Sequence, residues 1–188
     1  MVILEVFAMV HDTDRSGAPG ALEDVRTLVN SWSIPNETRI AQDELGDWIA
    51  DRTNWRTRFR FLPEPQPGDD EALASVRDAI RAALSGDFAG LEVVVADQPP
   101  GIVVDEAGVT FVARREHSVS DTAIAVVLTA AADRTLPRLR TCGDCGWAFY
   151  DSSRNNRRRW CAMDPAPGGR GCGAAAKSRN YRARKQRE

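Results

Sequence analysis

Four cysteines stand near the C-terminal end of the chain: Cys142, Cys145, Cys161 and Cys172. The first two are spaced Cys-x2-Cys within "TCGDCGW", where Gly143 and Gly146 let the backbone curl until both sulfurs face one point. Cys161 follows after 15 intervening residues and Cys172 after 10 more. Thiolates in that number and spacing suit tetrahedral coordination of a structural Zn²⁺, whose binding energy becomes folding energy for a segment with little core of its own. A lone Cys-x2-Cys also suits thiol–disulfide exchange. That chemistry leaves Cys161 and Cys172 without a role, and no βαβ pattern surrounds the pair. His11 and His117 are each isolated in sequence from the cluster and read as ordinary histidines.

The same segment concentrates positive charge. The net charge of the 188 residues is -2, yet from Arg134 onward there are 14 Lys/Arg against 4 Asp/Glu, a net of +10. The remainder holds 11 basic against 23 acidic residues, a net of -12. Such asymmetry points to a polyanionic partner for the basic part, or to attraction between the two parts. The loop "SSRNNRRR" carries Arg154, Arg157, Arg158 and Arg159. The stretch "GAAAKSRNYRARKQ" has no proline and is rich in Ala, Lys and Arg, which predicts a helix. Lys177, Tyr181 and Arg184 fall on one face of it, Arg179 and Arg182 on an adjacent one, with Lys185 at its end. The candidate nucleic-acid contacts are therefore Arg154, Arg157, Arg158, Arg159, Lys177, Arg179, Arg182, Arg184 and Lys185. Arginine bonds phosphate or a guanine edge in bidentate fashion. RNA and an acidic protein surface remain alternative partners.

Around the cysteines, "WAFYD" alternates as a short strand should. Trp147, Phe149 and Trp160 are expected to form a small apolar layer beside the metal. Taken together, the Cys-x2-Cys, the "DSSR" stretch, "RRRWCAM" with Trp160 and Met163, and "CGAAAK" before a basic helix resemble the CGNR-type zinc finger. The resemblance covers about the last 50 residues. It implies zinc binding by Cys142, Cys145, Cys161 and Cys172, and DNA binding. Two departures stand out: Ala174-Ala175 replace the family's Asn-Arg, and the loop before Cys172 is lengthened by "DPAPGGRG".

The acidic body must position this segment. "MVILEVFAMV" reads as a buried strand. "GALEDVRTLVNSW" places Leu22, Val25, Leu28, Val29 and Trp32 on one helical stripe, and "DELGDWIADR" does so with Leu45, Trp48 and Ile49. After the proline-rich loop at Pro63, Pro65 and Pro67, Asp69 or Asp70 is placed to cap a helix with Leu73, Val76, Ile80 and Leu84 along one side. "LEVVVAD", "GIVVD" and "GVTFVAR" read as strands, the last two joined by a "DEAG" turn. "SVSDTAIAVVLTAAADR" is the most apolar helix, started by Ser118 and Asp121 as a capping-box-like pair. The expected class is α+β: helices packed on a small antiparallel sheet, followed by a small four-cysteine zinc finger with a basic C-terminal helix. The expected divisions are a body at 1–134, a linker at 135–140 and the finger at 141–188. "LVNSW" and "DELGDWI" resemble elements of the ABATE domain, which precedes this finger in predicted bacterial stress-related transcription regulators. That resemblance implies a body that senses a small-molecule or protein signal, or that makes a homodimer.

No nucleophile elbow, phosphate loop, zincin helix or dinucleotide fingerprint occurs in the sequence. No enzymatic activity is expected. Asn30, Trp32, Asn54, Trp55 and Arg56 read as packing and helix-end residues. No apolar run reaches the roughly 18 residues of a membrane span. The opening residues lack a basic leader and a cleavage pattern, so a cytoplasmic location without membrane attachment is expected.

Overall fold

The computed structural model describes residues 17–35, 38–106, 108–162 and 171–186. The expected strand in "MVILEVFAMV", His11, Met163 and most of the "DPAPGGRG" loop lie outside these residues.

The body is built on three helices. These are α1 (Leu22–Val29), α4 (Asp70–Leu84) and α6 (Val119–Ala132), which pack on one another. α1 and α4 bring the apolar stripes their sequences predict, Trp32 excepted, and α6 is the most apolar helix. Val25, Leu28 and Val29 of α1, Leu73, Val76 and Ile80 of α4, and Val119, Ala123, Ile124 and Val127 of α6 form one buried core. The Ser118 Oγ accepts the Asp121 N–H at 3.2 Å, so α6 starts where expected. Asp69 occupies the N-cap position of α4, but its carboxylate accepts the Gln66 N–H at 2.8 Å instead of capping the helix.

Three other expectations are corrected. Trp32 does not continue the α1 stripe. The helix stops at Val29, and Trp32–Ser33 forms β1, paired antiparallel with β2 (Gln42–Asp43). The "DELGDWIADR" pattern gives the short α2 (Leu45–Ala50), and a separate α3 (Arg52–Arg58) follows. Asp51 divides them, because its carboxylate accepts the N–H groups of Thr53 and Asn54 and starts a new helix. Trp55 of α3 stacks on Phe59 with ring centroids 4.1 Å apart, inside the core.

The third correction is the largest. "LEVVVAD" lies in helix α5 (Ala89–Asp97), not in a strand. A run of β-branched residues fits either state, and the neighbour decides. Here the neighbour is α4: Gly90 lies against Ala79, with room for van der Waals contact only, and Leu91 and Val94 are buried three residues apart. The next two strands form as expected. β3 (Gly101–Asp105) and β4 (Gly108–Val112) make an antiparallel ribbon without a bulge, and β4 lies along α6. The sheet content among the described residues is thus three separate two-stranded ribbons.

The segment expected to be a linker carries a 3-10 turn at Leu136–Arg138 and strand β5 (Leu139–Thr141), and Leu136 and Leu139 sit in the body core. β5 pairs with β6 (Ala148–Tyr150), and α7 (Cys172–Lys185) closes the chain order. Among the described residues no helix is long and apolar enough to cross a membrane.

One ion pair locks β2 to α4. The Arg77 guanidinium, 3% exposed, donates to both carboxylate oxygens of Asp43 at 2.6 and 2.8 Å, and to Ser31 Oγ at 3.2 Å. The Arg77 hydrogen bond is the largest influence on the Asp43 carboxyl and holds it below its ordinary value, against the opposing effect of burial. Asp43→Asn is expected to lower stability at pH 7 by about 1–2 kcal/mol; a fully buried pair would lose more, but Asp43 is half exposed. A depressed carboxyl stabilises above its unfolded value and loses that contribution as the pH falls through its folded value. Urea unfolding of the two proteins should therefore converge in acid; a gap unchanged there would refute the assignment.

Candidate metal centre

The four cysteine sulfurs all lie within 4.8 Å of one another. Cys145 and Cys172 are each 3.6 Å from Cys161. No pair is at disulfide bonding distance. Four ligands at a Zn–S distance of about 2.3 Å in a tetrahedron stand about 3.8 Å apart, so this spacing is that of a zinc tetrathiolate, far beyond a disulfide of about 2.05 Å.

Local backbone geometry sets the sulfurs. After β5 the chain turns through Cys142-Gly143-Asp144-Cys145-Gly146. The Gly146 N–H bonds the Cys142 carbonyl at 2.9 Å, and the Cys142 N–H bonds the Trp147 carbonyl at 2.8 Å. The two glycines serve different ends. Gly146 adopts φ +70°, and a Cβ there would collide with the Arg81 guanidinium. Gly143 instead makes room for Trp160, whose ring lies 3.3 Å from the position a Cβ would take. Cys161 follows Trp160, and Cys172 opens α7. The Gly173 N–H bonds the Ala162 carbonyl at 3.0 Å and ties these two strands of chain together. The cysteines and Phe149 form a second buried cluster, with Trp147 and Trp160 packed against it, as the sequence predicts.

Electrostatics favour a cation at the centre. Four thiols this close divide charge unequally. Hydrogen bonds from Cys145, Cys161 and Cys172 draw the Cys142 thiol far down, and Cys142 foremost pushes the thiols of Cys145 and Cys161 far up. A divalent ion relieves this conflict by favouring all four thiolates at once. The resulting dianionic centre has two arginines against its backbone. Arg158 donates to the carbonyls of Trp160 and Cys161, and its guanidinium lies 5.0 Å from the Phe149 ring centroid. Arg81 of α4 donates to the carbonyls of Val29, Trp32 and Gly146 and stacks over Trp32 at 4.0 Å.

The second arginine shows how closely the finger is held to the body. The Ile34 N–H bonds the Cys145 carbonyl at 3.2 Å. Asn30, buried at the end of α1, makes a two-way clip to β6: its Nδ2 donates to the Ala148 carbonyl at 2.9 Å, and its Oδ1 accepts the Ala148 N–H at 2.6 Å. Asn30 and Arg81 are structural residues of the centre that sequence reasoning missed as such. Asn30 read as a helix-end residue, and Arg81 carried no signal beyond its place on α4.

The nine candidate nucleic-acid contacts divide into two groups. Arg154, Arg157 and Arg159 on the loop, and Lys177, Arg182, Arg184 and Lys185 on α7, have exposed side chains. Arg158 is corrected: its guanidinium is committed to the knuckle carbonyls, and its N–H bonds the buried Asp151 carboxylate at 2.7 Å. Arg179 is exposed but already paired with Asp144. His117 lies away from the cluster on the loop before α6, exposed and at φ +62°.

Metal analysis should give one zinc per chain. Cys145→Ser is expected to weaken zinc binding by more than about a hundredfold and to remove hydrogen-exchange protection from β6 and α7, while the body still unfolds cooperatively. Arg81→Met should cost about tenfold in zinc affinity without removing a ligand. Zinc retained at full affinity in Cys145→Ser would refute a four-sulfur site.

No curated protein matches the chain. Residues 138–185 match the CGNR zinc finger family, a span that includes β5, all four cysteines and α7. By that match this part of the chain is similar to the CGNR zinc finger, and its geometry places Cys142, Cys145, Cys161 and Cys172 to hold zinc.

Proposed function

We propose that the protein is a zinc-dependent DNA-binding transcriptional regulator. One observation carries the reading: α7 leaves the metal centre at Cys172 with five cationic and no acidic side chains, and it is exposed from Lys177 to its end. Apart from Arg179, these cations stand in solvent instead of folding back onto the acidic body, so their counter-charge must come from outside. Zinc held by Cys142, Cys145, Cys161 and Cys172 would fix the first turn of α7 relative to the knuckle, and α7 would then offer a fixed comb of cations to a phosphate backbone. Arg154, Arg157 and Arg159 extend that comb from the loop. In this reading residues 1–134 are an ABATE-like body that receives a signal or pairs two chains, in the manner of a bacterial stress regulator.

RNA or another single strand is the second reading, favoured by Tyr181. Its ring is 67% exposed among the cations of α7, where a base can stack.

For about seven phosphate contacts, log K should fall with log[salt] at a slope of about -6. Replacing Lys177, Arg182, Arg184 and Lys185 by alanine should reduce the slope by about 4 with zinc content unchanged. Arg158→Ala should act differently, lowering zinc retention through the lost carbonyl contacts. Filter binding on mixed duplexes and on single strands of equal length measures both slopes. No salt-dependent binding by the zinc-loaded protein to either would overturn the proposal.

A further inference from the structure

The β3–β4 ribbon is an unusual surface. Ile102, Val103 and Val104 of β3 are 63%, 45% and 73% exposed, and Val109 and Val112 of β4 are exposed beside them. Soluble proteins usually guard such an edge with Lys, Pro or a bulge. The sequence Gly-Ile-Val-Val-Asp has neither residue, and the register runs unbroken from Gly101↔Val112 to Asp105↔Gly108.

The two edges of the ribbon differ. On the β4 side, the Phe111 N–H donates to Thr129 Oγ1 of α6 at 3.0 Å, and the hydroxyl donates back to the Phe111 carbonyl at 3.4 Å. Phe111 therefore points its backbone groups away from β3. By the alternation of an antiparallel ladder, its partner Ile102 points its own N–H and C=O outward on the β3 side, and so does Val104. Among the described residues no strand pairs with that side.

We infer that β3 is a homodimer interface, in which the β3 strands of two copies pair antiparallel about a two-fold axis at Val103. The register follows from the backbone. Ile102 of each copy faces Val104 of the other as hydrogen-bonded pairs, giving four interchain hydrogen bonds. Val103 meets its own counterpart as a non-hydrogen-bonded pair, at a Cα separation of about 4.5 Å. Charge fits this register. Asp105 falls opposite Gly101, so no acidic pair forms along the strand. The acidic end of one ribbon, at Glu106, lies toward the base of the other, where Arg114 is exposed, while Arg115 there is already paired with Asp121 of its own chain. The result is a four-stranded sheet in the order β4-β3-β3-β4, with the β4 edges already covered by α6. Its role rests on the DNA-binding proposal, since two fingers can then address two half-sites; its geometry does not.

The test uses the full chain without nucleic acid, so its failure and a failure to bind DNA are read separately. Light scattering and sedimentation at tens of micromolar should show a dimer. Val103→Lys places two like charges face to face on the axis and should weaken the dimer by about a hundredfold or more, with zinc content and circular dichroism unchanged. Val103→Cys should give an interchain disulfide under mild oxidation, at a spacing that suits one, and Asp105→Cys should not. A monomeric parent chain overturns the inference. So does a Val103→Lys dimer of undiminished affinity. A monomer that dimerises only when residues 1–16 are deleted would assign the edge to that apolar segment, and overturns it too.

Discussion

The conformation of the cysteine-bearing C-terminal segment depends on the mutual repulsion of four sulfurs and its relief. Thiols packed within 4.8 Å of one another cannot all ionise unaided, and they are soft ligands well matched to zinc. α7 takes its position from that arrangement. Phe149, Trp147 and Trp160 supply only a small apolar layer, too little to fix a helix that is polar nearly all round. Coordination at Cys172 substitutes for the hydrophobic face that α7 lacks.

The centre is not a separate bead on a tether. Leu139 and Ala148, which flank the knuckle on β5 and β6, belong to the body core. Asn30 holds β6 by a paired amide–peptide contact, and Arg81 inserts from α4 against Gly146. Arg81 has carbonyls around it rather than a carboxylate; burial and the neighbouring Arg77 pull its pKa below the usual value. A tetrathiolate centre adds to the negative field that Asp78 and Cys145 already place on this cation, so body and metal stabilise each other across α4. Any rearrangement of α1 or α4 is felt directly at the Cys142–Cys145 turn.

Much of this was legible in the sequence because it follows from spacing. Four cysteines, the aromatic layer and the basic helix are local patterns, the apolar stripes of α1 and α4 repeat with the helical period, and α6 is plainly the most apolar helix. What was not legible depends on partners distant in the chain. "LEVVVAD" has the composition of a strand but lies on α4, and only Ala79 opposite Gly90 decides the matter. Arg158 sits in a run of four cations within six residues, identical in charge to its neighbours. Only the carbonyls of Trp160 and Cys161 separate it from them. Asn30 acquires its role from Ala148, 118 positions away.

Asp144, in the middle of the Cys142–Cys145 turn, has a side chain only 3% exposed and holds two guanidinium groups, Arg39 from the segment after β1 and Arg179 from the first turns of α7. Among the described residues it is a carboxylate that ties the helix, the knuckle and the body together. An outside anion that recruited Arg179 would compete with Asp144 for the same cation, and Arg39 would remain paired with Asp144. Through this one aspartate a cation of α7, the Cys142–Cys145 turn and Arg39 are electrostatically linked.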